Sequence, residues 1–330
     1  MILTRTPLRV SFCGGGSDIP SFYEKHGGCV VSTTIDKYVY LAVHKSFYPN
    51  EYILKYSSME RVSDINAIKH PIFRECLRDY ETGYVEITSM ADVPAGTGLG
   101  SSSSFTVGLI NTLRAYNGLS SDKEFLASAA CDMEMVRLGE PIGKQDQYAA
   151  AYGGLNYYRF NRDGTVDAEP IHLTAEETSE LESSLMMFYT GITRKASNIL
   201  AEQSSNISRG SAEENQLRIC EIAEKLRADL ENGDLESLGR RLDESWKIKK
   251  TLASGITSEA IDAAYETAME HGACGGKLLG AGGGGFLLMY VPRENQAEVA
   301  ASLGEYKQMP IALDTLGSTL IYSEGTFQRP

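Results

Sequence analysis

The sequence predicts an α+β protein of two domains, and three observations carry the prediction. The chain has 330 residues, which at roughly 100–200 residues per domain leaves room for two domains or one large one. The stretches Leu8 to Phe12, Cys29 to Val43 and Tyr84 to Thr88 read as strands, and after Pro94 the period becomes helical. From about Leu185 the pattern starts again, so a boundary is expected near residues 175–185, between units spanning 1–180 and 181–330.

Each element has its own signal. Leu8, Val10 and Phe12 alternate with polar neighbours and run into Cys13-Gly14-Gly15-Gly16-Ser17-Asp18, a strand ending in a glycine-rich turn. A second β-rich stretch runs from Cys29 to Val43, and Tyr84 to Thr88 is a further short strand. After Pro94-Ala95-Gly96-Thr97-Gly98-Leu99-Gly100 and four serines, Phe105, Leu109, Leu113 and Tyr116 recur at helical spacing until Asn117-Gly118 stops them. Ser121 with Glu124 forms a capping-box signature for the next helix. That helix, carrying Phe125, Leu126, Ala129, Ala130, Cys131, Met133, Val136 and Leu138, is apolar nearly all round and is expected to be buried. Leu185 to Tyr189 is strand-like. Ile219, Ala223, Leu226 and Leu230, then Leu235, Leu238, Leu242 and Trp246, mark two helices split at Asn232-Gly233. A helix near Ser258 to His271 leads through a glycine-rich run into a strand, Phe286 to Val291.

Composition narrows the function. Hydrophobic residues at 42% and charged residues at 23% match a folded globular chain, not a disordered one. With 31 Lys+Arg against 44 Asp+Glu, the net charge of −13 argues against broad affinity for nucleic acid or anionic membrane, because both need a basic surface. A small basic pocket stays compatible with it. Cys13, Cys29, Cys76, Cys131, Cys220 and Cys274 show neither a CxxC pair nor zinc-finger spacing and read as reduced thiols filling apolar space. The N-terminus enters a strand pattern with no apolar signal core, and Phe286 to Val291 is too short to span a bilayer, so a cytoplasmic protein is expected.

Glycine occurs 32 times in 330 residues, where about 7% is usual, and the surplus gathers in three clusters. Pro94 to Ser104 is a glycine-rich loop opening a helix. Such a loop presents unpaired backbone N–H groups at the positive end of the helix dipole, with hydroxyls alongside that suit phosphate or a metal. It is not a Walker A loop, which needs a lysine where Ser101 stands. A serine-rich helix cap is the plainer reading. Gly280, Gly282 and Gly285 make a formal GxGxxG, but it runs into a strand, whereas a dinucleotide fingerprint runs from strand to helix.

Two acids stand out. Glu134, with Ala130 at i−4 and Leu138 at i+4, is expected to face inward, where a carboxylate must be paired or pushed toward neutrality. An ion pair with Arg137 is the structural alternative. Asp146 is read in a loop, Pro141 to Gln147, and an ordinary loop aspartate or cap is the simpler account of its spacing.

Together these segments resemble the GHMP kinase superfamily of galactokinase, homoserine kinase, mevalonate kinase and phosphomevalonate kinase. Three motifs match in order and nearly span the chain: Pro7-Leu8-Arg9-Val10 to Asp18, Pro94-x-x-x-Gly98-Leu99-Gly100-Ser101-Ser102, and Lys277-Leu278-Leu279-Gly280-Ala281-Gly282-Gly283-Gly284. The resemblance implies an N-terminal α+β domain like part of a ribosomal small-subunit protein, a ferredoxin-like C-terminal domain, and an active site between them. It implies ATP and Mg²⁺ as cofactors. Pro94, Gly96, Thr97, Gly98, Leu99, Gly100, Ser101, Ser102, Ser103 and Ser104 would surround the ATP phosphates, and Ser102 and Glu134 would hold the metal. Asp146 would accept the substrate hydroxyl proton, with Arg9 beside it to stabilise the alkoxide and the transferring charge. Phosphoryl transfer is mostly positioning and charge neutralisation, and these residue types suit it.

The acceptor is read from the first motif. Galactokinases carry Gly-Glu-His-x-Asp there, whereas Gly14-Gly15-Gly16-Ser17-Asp18 keeps only the aspartate, which counts against galactose and leaves room for a bulkier sugar. Residues 9–28, 35–38, 143–154 and 189–194 look like the D-glycero-D-manno-heptose 7-phosphate kinase branch. That implies phosphorylation of the anomeric hydroxyl to the 1,7-bisphosphate, with Gly14 to Asp18, Gly282 and Gly283 on the substrate. A phosphorylated acceptor needs a further cation, for which Arg194 and Lys195 are the candidates and Lys37 the third. Arg194 and Lys195 are read equally well as the start of a solvated helix. Two competing expectations are a kinase of an unphosphorylated fucose- or hexose-like sugar and a non-catalytic regulator that binds sugar and ATP. The expected partners are therefore a sugar phosphate and ATP, without nucleic acid or membrane, and with homodimer formation left open.

Overall fold

Apolar alternation in the first 45 residues produces a long antiparallel pair, β1 (Ile2–Cys13) and β2 (Gly28–Lys45). The computed structural model describes residues 1–193, 197–210 and 212–324. The β1–β2 register slips between Pro7 and Leu8, where proline has no N–H to give the ladder. Around this pair lie β3 (Tyr52–Lys55), β4 (Met59–Val62), β5 (Val85–Ala91), β6 (Asn156–Phe160) and β7 (Val166–Pro170). The second sheet comprises β8 (Leu185–Tyr189), β9 (Gly275–Leu278), β10 (Phe286–Tyr290) and β11 (Lys307–Met309). Its order, β11-β8-β10-β9, all antiparallel and with a helix in each crossover, is the ferredoxin-like βαββαβ arrangement.

The chain then returns. β12 (Leu313–Asp314) pairs with β2, and β13 (Thr319–Ser323) pairs with β1 at the edge of the first sheet, giving that sheet nine strands among the described residues. Neither strand has an apolar period long enough to mark it in the sequence.

Three cores hold the layers. One lies between the first sheet and the helices Ser101–Tyr116, Lys123–Cys131 and Gln145–Tyr152. A second is shared by both sheets, with Leu8, Val10 and Phe12 meeting Leu185, Met187 and Leu288. The third backs the second sheet around the buried Trp246. Because such interiors are close-packed and resist deformation, the shared core fixes one sheet against the other.

Three expectations about elements change. The helix after Ser121 is capped by Asp122, whose side chain accepts from Phe125 N at 2.7 Å, while Ser121 Oγ accepts from Arg114 Nε. That helix is not buried all round. It is α-helical only to Cys131, continues as a π-helical turn, Asp132–Arg137, and leaves Phe125 and Val136 exposed. Finally, Cys274 is exposed, whereas Cys13, Cys29, Cys76 and Cys131 are buried thiols. Among the described residues no helix is long and apolar enough to cross a membrane.

Candidate active site

The loop before the helix Ser101–Tyr116 is left-handed at Gly96, Gly98 and Gly100, with φ of 78°, 83° and 73°, a backbone that side chains disfavour. Gly98 has a second reason to be glycine. A Cβ there would lie 2.4 Å from Leu279 O, and one on Gly280 would lie 2.6 Å from Gly98 Cα, so the second and third glycine motifs meet backbone to backbone. The helix N-terminus that follows, with Ser101, Ser102 and Ser103, faces a cleft of about 440 Å³. Free N–H groups at such a terminus suit phosphate. Ser104 instead turns into the fold and donates to Pro7 O at 2.7 Å.

Glu134 reaches the same cleft because the wider π-helical turn directs it inward and Val136 outward. Its carboxylate accepts from Thr106 Oγ1 at 2.7 Å, Ser103 Oγ at 2.8 Å, Gln147 Nε2 at 2.5 Å and Ser102 Oγ at 3.4 Å. All four donors are neutral. Burial, with a lesser push from Asp146, raises its pKa, and among the described residues no cation pairs with it. Arg137 is engaged elsewhere, with Asp79 and Asp132 on the outside. A buried carboxylate beside a serine hydroxyl, short of positive charge and open to a cleft, is a hard-oxygen donor set that fits magnesium.

Asp146 lies in the first turn of the helix Gln145–Tyr152, not in a loop. That helix begins where Asp18 accepts from Gln145 N at 3.2 Å, while also accepting from Gly16 N at 2.9 Å. Gly143 lets Asp18 come close, since a Cβ there would sit 1.9 Å from Asp18 Oδ2. The aspartate of the first motif therefore ties the Gly14–Asp18 turn to the helix that carries Asp146. Burial, then Asp146, raises the Asp18 pKa. Across the cleft Arg9 grips Asp146 through Nε–Oδ1 at 2.8 Å and Nη2–Oδ2 at 2.9 Å, and its Nη1 donates to Gly98 O at 2.5 Å. One guanidinium thus joins β1, the glycine loop and Asp146.

Two lysines complete the lining. Lys277 on β9 is buried and donates to Ser11 O and Phe12 O at 2.8 and 3.0 Å, and burial lowers its pKa well below the ordinary lysine range. Lys249, at the end of the helix Ser237–Lys249, donates to Gly280 O at 2.7 Å. Burial, then Arg9, lowers its pKa to about 8.

The chain is similar to known proteins over most of its length. Residues 66–154 match the model for the GHMP kinases N terminal domain and residues 226–307 that for GHMP kinases C terminal. The D-glycero-alpha-D-manno-heptose 7-phosphate kinase of Campylobacter jejuni is 30% identical over 88% of this chain and 89% of its own. The chain belongs to the GHMP kinases. This GHMP kinase is also 29% identical to the L-fucokinase/L-fucose-1-P guanylyltransferase of Bacteroides fragilis, over 89% of the chain but only 35% of that longer protein. A crystal structure of a D-glycero-D-manno-heptose 1-phosphate kinase from Bacteroides thetaiotaomicron superposes with a TM-score of 0.80 at 26% identity, covering 98% of this chain and all of that one. The GHMP kinase is accordingly an ATP-dependent phosphotransferase of the sugar-kinase type, which sets aside the reading as a non-catalytic regulator.

Not every expected residue of this GHMP kinase lines the cleft. Arg9, Gly15, Gly16, Asp18, Gly96, Gly98, Gly100, Ser101, Ser102, Ser103, Glu134, Asp146 and Gly282 do. Gly14 instead packs on the backbone of Cys29, and the Ser17 hydroxyl bonds Cys29 N and O. Thr97 bonds Pro94 O at 3.0 Å, Leu99 is fully buried, and Gly283 N donates to Ile256 O at 2.9 Å. Lys37 is held by Asp36 at 2.7 Å, away from the lining. Arg194 and Lys195 lie outside the described residues. Gln145, Lys249 and Lys277 line the cleft without having been singled out as site residues. Lys249 did leave a signal, for it falls three residues after Trp246 and seven after Leu242, on the buried stripe of its helix.

Proposed function

We propose that this kinase transfers the γ-phosphoryl group of ATP to the anomeric hydroxyl of D-glycero-D-manno-heptose 7-phosphate, giving the 1,7-bisphosphate and ADP in the cytoplasm. The observation that carries the chemistry is the Arg9–Asp146 pair, set across one cleft from the Ser101–Ser103 helix N-terminus. In this reading the loop Gly96–Gly100 and the serine hydroxyls receive the phosphates. Asp146 takes the hydroxyl proton as the anomeric oxygen bonds to phosphorus and the bond to the ADP oxygen breaks. Arg9 orients Asp146 and faces the charge that develops. Ser102 and Glu134 would hold magnesium, which when bound supplies charge neutralisation at the phosphates.

A polyhydroxylated acceptor suits the other end of the cleft. Ser11 Oγ and Gln145 Oε1 line it, are buried, and have no hydrogen-bond partner among the described residues. Such groups are costly unless a ligand satisfies them. Heptose phosphate as the acceptor draws on the full-length likeness to the C. jejuni enzyme. The two heptose kinases resembled carry phosphate at different carbons in their names, 7 and 1, and the B. fragilis relative supports a second reading, a fucose-like acceptor. Mass spectrometry of products from ATP with heptose 7-phosphate, heptose 1-phosphate, free heptose, fucose and galactose tests this. A bisphosphate formed only from the 7-phosphate is expected, and faster turnover of any free sugar would overturn the acceptor assignment.

A further inference from the structure

Lys249 was not foreseen, and donor accounting gives it a task. Three cations line the cleft among the described residues, Arg9, Lys249 and Lys277. Arg9 spends three N–H groups on Asp146 and the Gly98 carbonyl. Lys277 spends two of its three on the carbonyls of Ser11 and Phe12, deep beneath β1. Lys249 makes one hydrogen bond, to Gly280 O, and a lysine ammonium has three donors. Its free donors therefore make Lys249 the cation with most capacity left for a ligand.

Its position says which part of a ligand. Gly280, which receives the Lys249 hydrogen bond, touches Gly98 of the glycine loop, and Gly98 in turn receives Arg9. Lys249 thus stands on the phosphate-loop side of the Arg9–Asp146 pair. The charged groups that face it from neighbouring elements are Arg9 on β1, Lys277 on β9, Asp18 in the first turn and Asp146 on its helix. Four carboxylates line this cleft, those of Asp18, Glu134, Glu140 and Asp146, so a phosphoryl group entering it needs positive charge that Arg9 alone, already paired, supplies only in part.

We propose that Lys249 is a catalytic residue whose ammonium binds the oxygens of the phosphoryl group in transfer, so that the helix Ser237–Lys249 of the second half donates a cation to the site. This deepens the kinase reading and rests on it, but not on which sugar is the acceptor. The lowered Lys249 pKa fits a site with room for an anion: burial and the neighbouring Arg9 weaken its hold on the proton, and an arriving phosphoryl group restores it.

The test uses the full chain with whichever acceptor the wild type turns over in the product panel, so the acceptor assignment and this inference fail separately. Lys249→Met keeps the length of the side chain and removes the charge. Expected is a fall in kcat of about 10²-fold, the scale seen when one donor to a developing oxyanion is lost, with KM for acceptor and for ATP changed less than about threefold. Lys249→Arg is expected to restore at least a tenth of wild-type kcat and to remove the fall in kcat/KM expected of the wild type as pH rises through about 8. Melting followed by the fluorescence of Trp246, the single tryptophan, checks that both variants are folded. Unchanged kcat in Lys249→Met overturns the proposal. So does a rise confined to the acceptor KM, which would make Lys249 the holder of the acceptor's own phosphate. If Lys249→Met does not fold, the Lys249→Arg profile decides: an alkaline limb identical to the wild type overturns the proposal.

Discussion

Burial of the Glu134 carboxylate costs the fold stability. The group lies among four neutral donors, and its pKa is raised. The folded chain therefore holds a proton that the unfolded chain releases, and stability falls as pH climbs from the unfolded glutamate value, about 4.3, through the raised folded one. Glu134→Gln removes that penalty. The surrounding hydroxyls can reverse to accept, and Gln147 Oε1, buried without a partner, can turn to meet the new amide. The Tm of Glu134→Gln is expected to equal that of the wild type near pH 4 and to exceed it at pH 7, with turnover abolished; a lower Tm at pH 7 would show that the carboxylate has a cationic partner in the fold. Asp146 behaves differently, since Arg9 meets it on both oxygens. Asp146→Asn is expected to bind ATP nearly as the wild type does while losing about 10²–10⁴-fold in turnover, the contribution of a general base. Equilibrium nucleotide binding and initial rates measure the two effects separately, and retained turnover would remove Asp146 from that role.

Among elements, the glycine motifs are where the sequence was most informative and also where its meaning shifted. The residues foresee three loops near one ligand. What they do not reveal is that two loops also need glycine for each other, because a contact between residues 98 and 280 is set by the packing of two sheets and not by any local period. Gly98→Ala combines left-handed strain, about 1–2 kcal/mol, with a Cβ 2.4 Å from Leu279 O. Gly118→Ala has the strain alone, at φ 74° with nothing within 4 Å. Gly98→Ala is expected to lower Tm by more than Gly118→Ala and, unlike it, to raise the KM for ATP. Equal Tm losses would mean that the loop contact contributes nothing to stability. The helix bearing Asp146 was hidden for a related reason: part of its cap comes from Asp18, more than a hundred residues earlier, so no neighbouring residue announces its start.

At the scale of the whole molecule, the two central strands of the second sheet follow from patterns that the sequence carries plainly, since Leu185 to Tyr189 and Phe286 to Tyr290 are continuous apolar runs. The return of residues 313–323 to the first sheet left no such mark. Its strands hold by backbone pairing and by one buried aspartate, features without hydrophobic period. Asp314 accepts from Tyr38 OH at 2.9 Å, and its carbonyl accepts from Thr34 Oγ1 and Gly154 N at 2.8 and 3.0 Å. A Cβ on Gly153 would lie 2.0 Å from Gly317 N. Gly153 and Gly154 follow the helix that carries Asp146 in its first turn, so the returning segment fixes the far end of the element that Asp18 and Arg9 fix at the near end. Asp314→Ala leaves the Tyr38 hydroxyl and the Leu316 and Gly317 N–H groups without their shared acceptor, a loss on the order of 1–3 kcal/mol for each group that stays buried and unpaired. It is expected to lower Tm by several degrees and kcat with it, although residue 314 does not line the cleft. A lowered Tm with kcat unchanged at a temperature where the variant is folded would confine the segment to stability. The joint loss is expected because the same hydrogen bonds that close the first sheet hold the far end of the helix that carries Asp146.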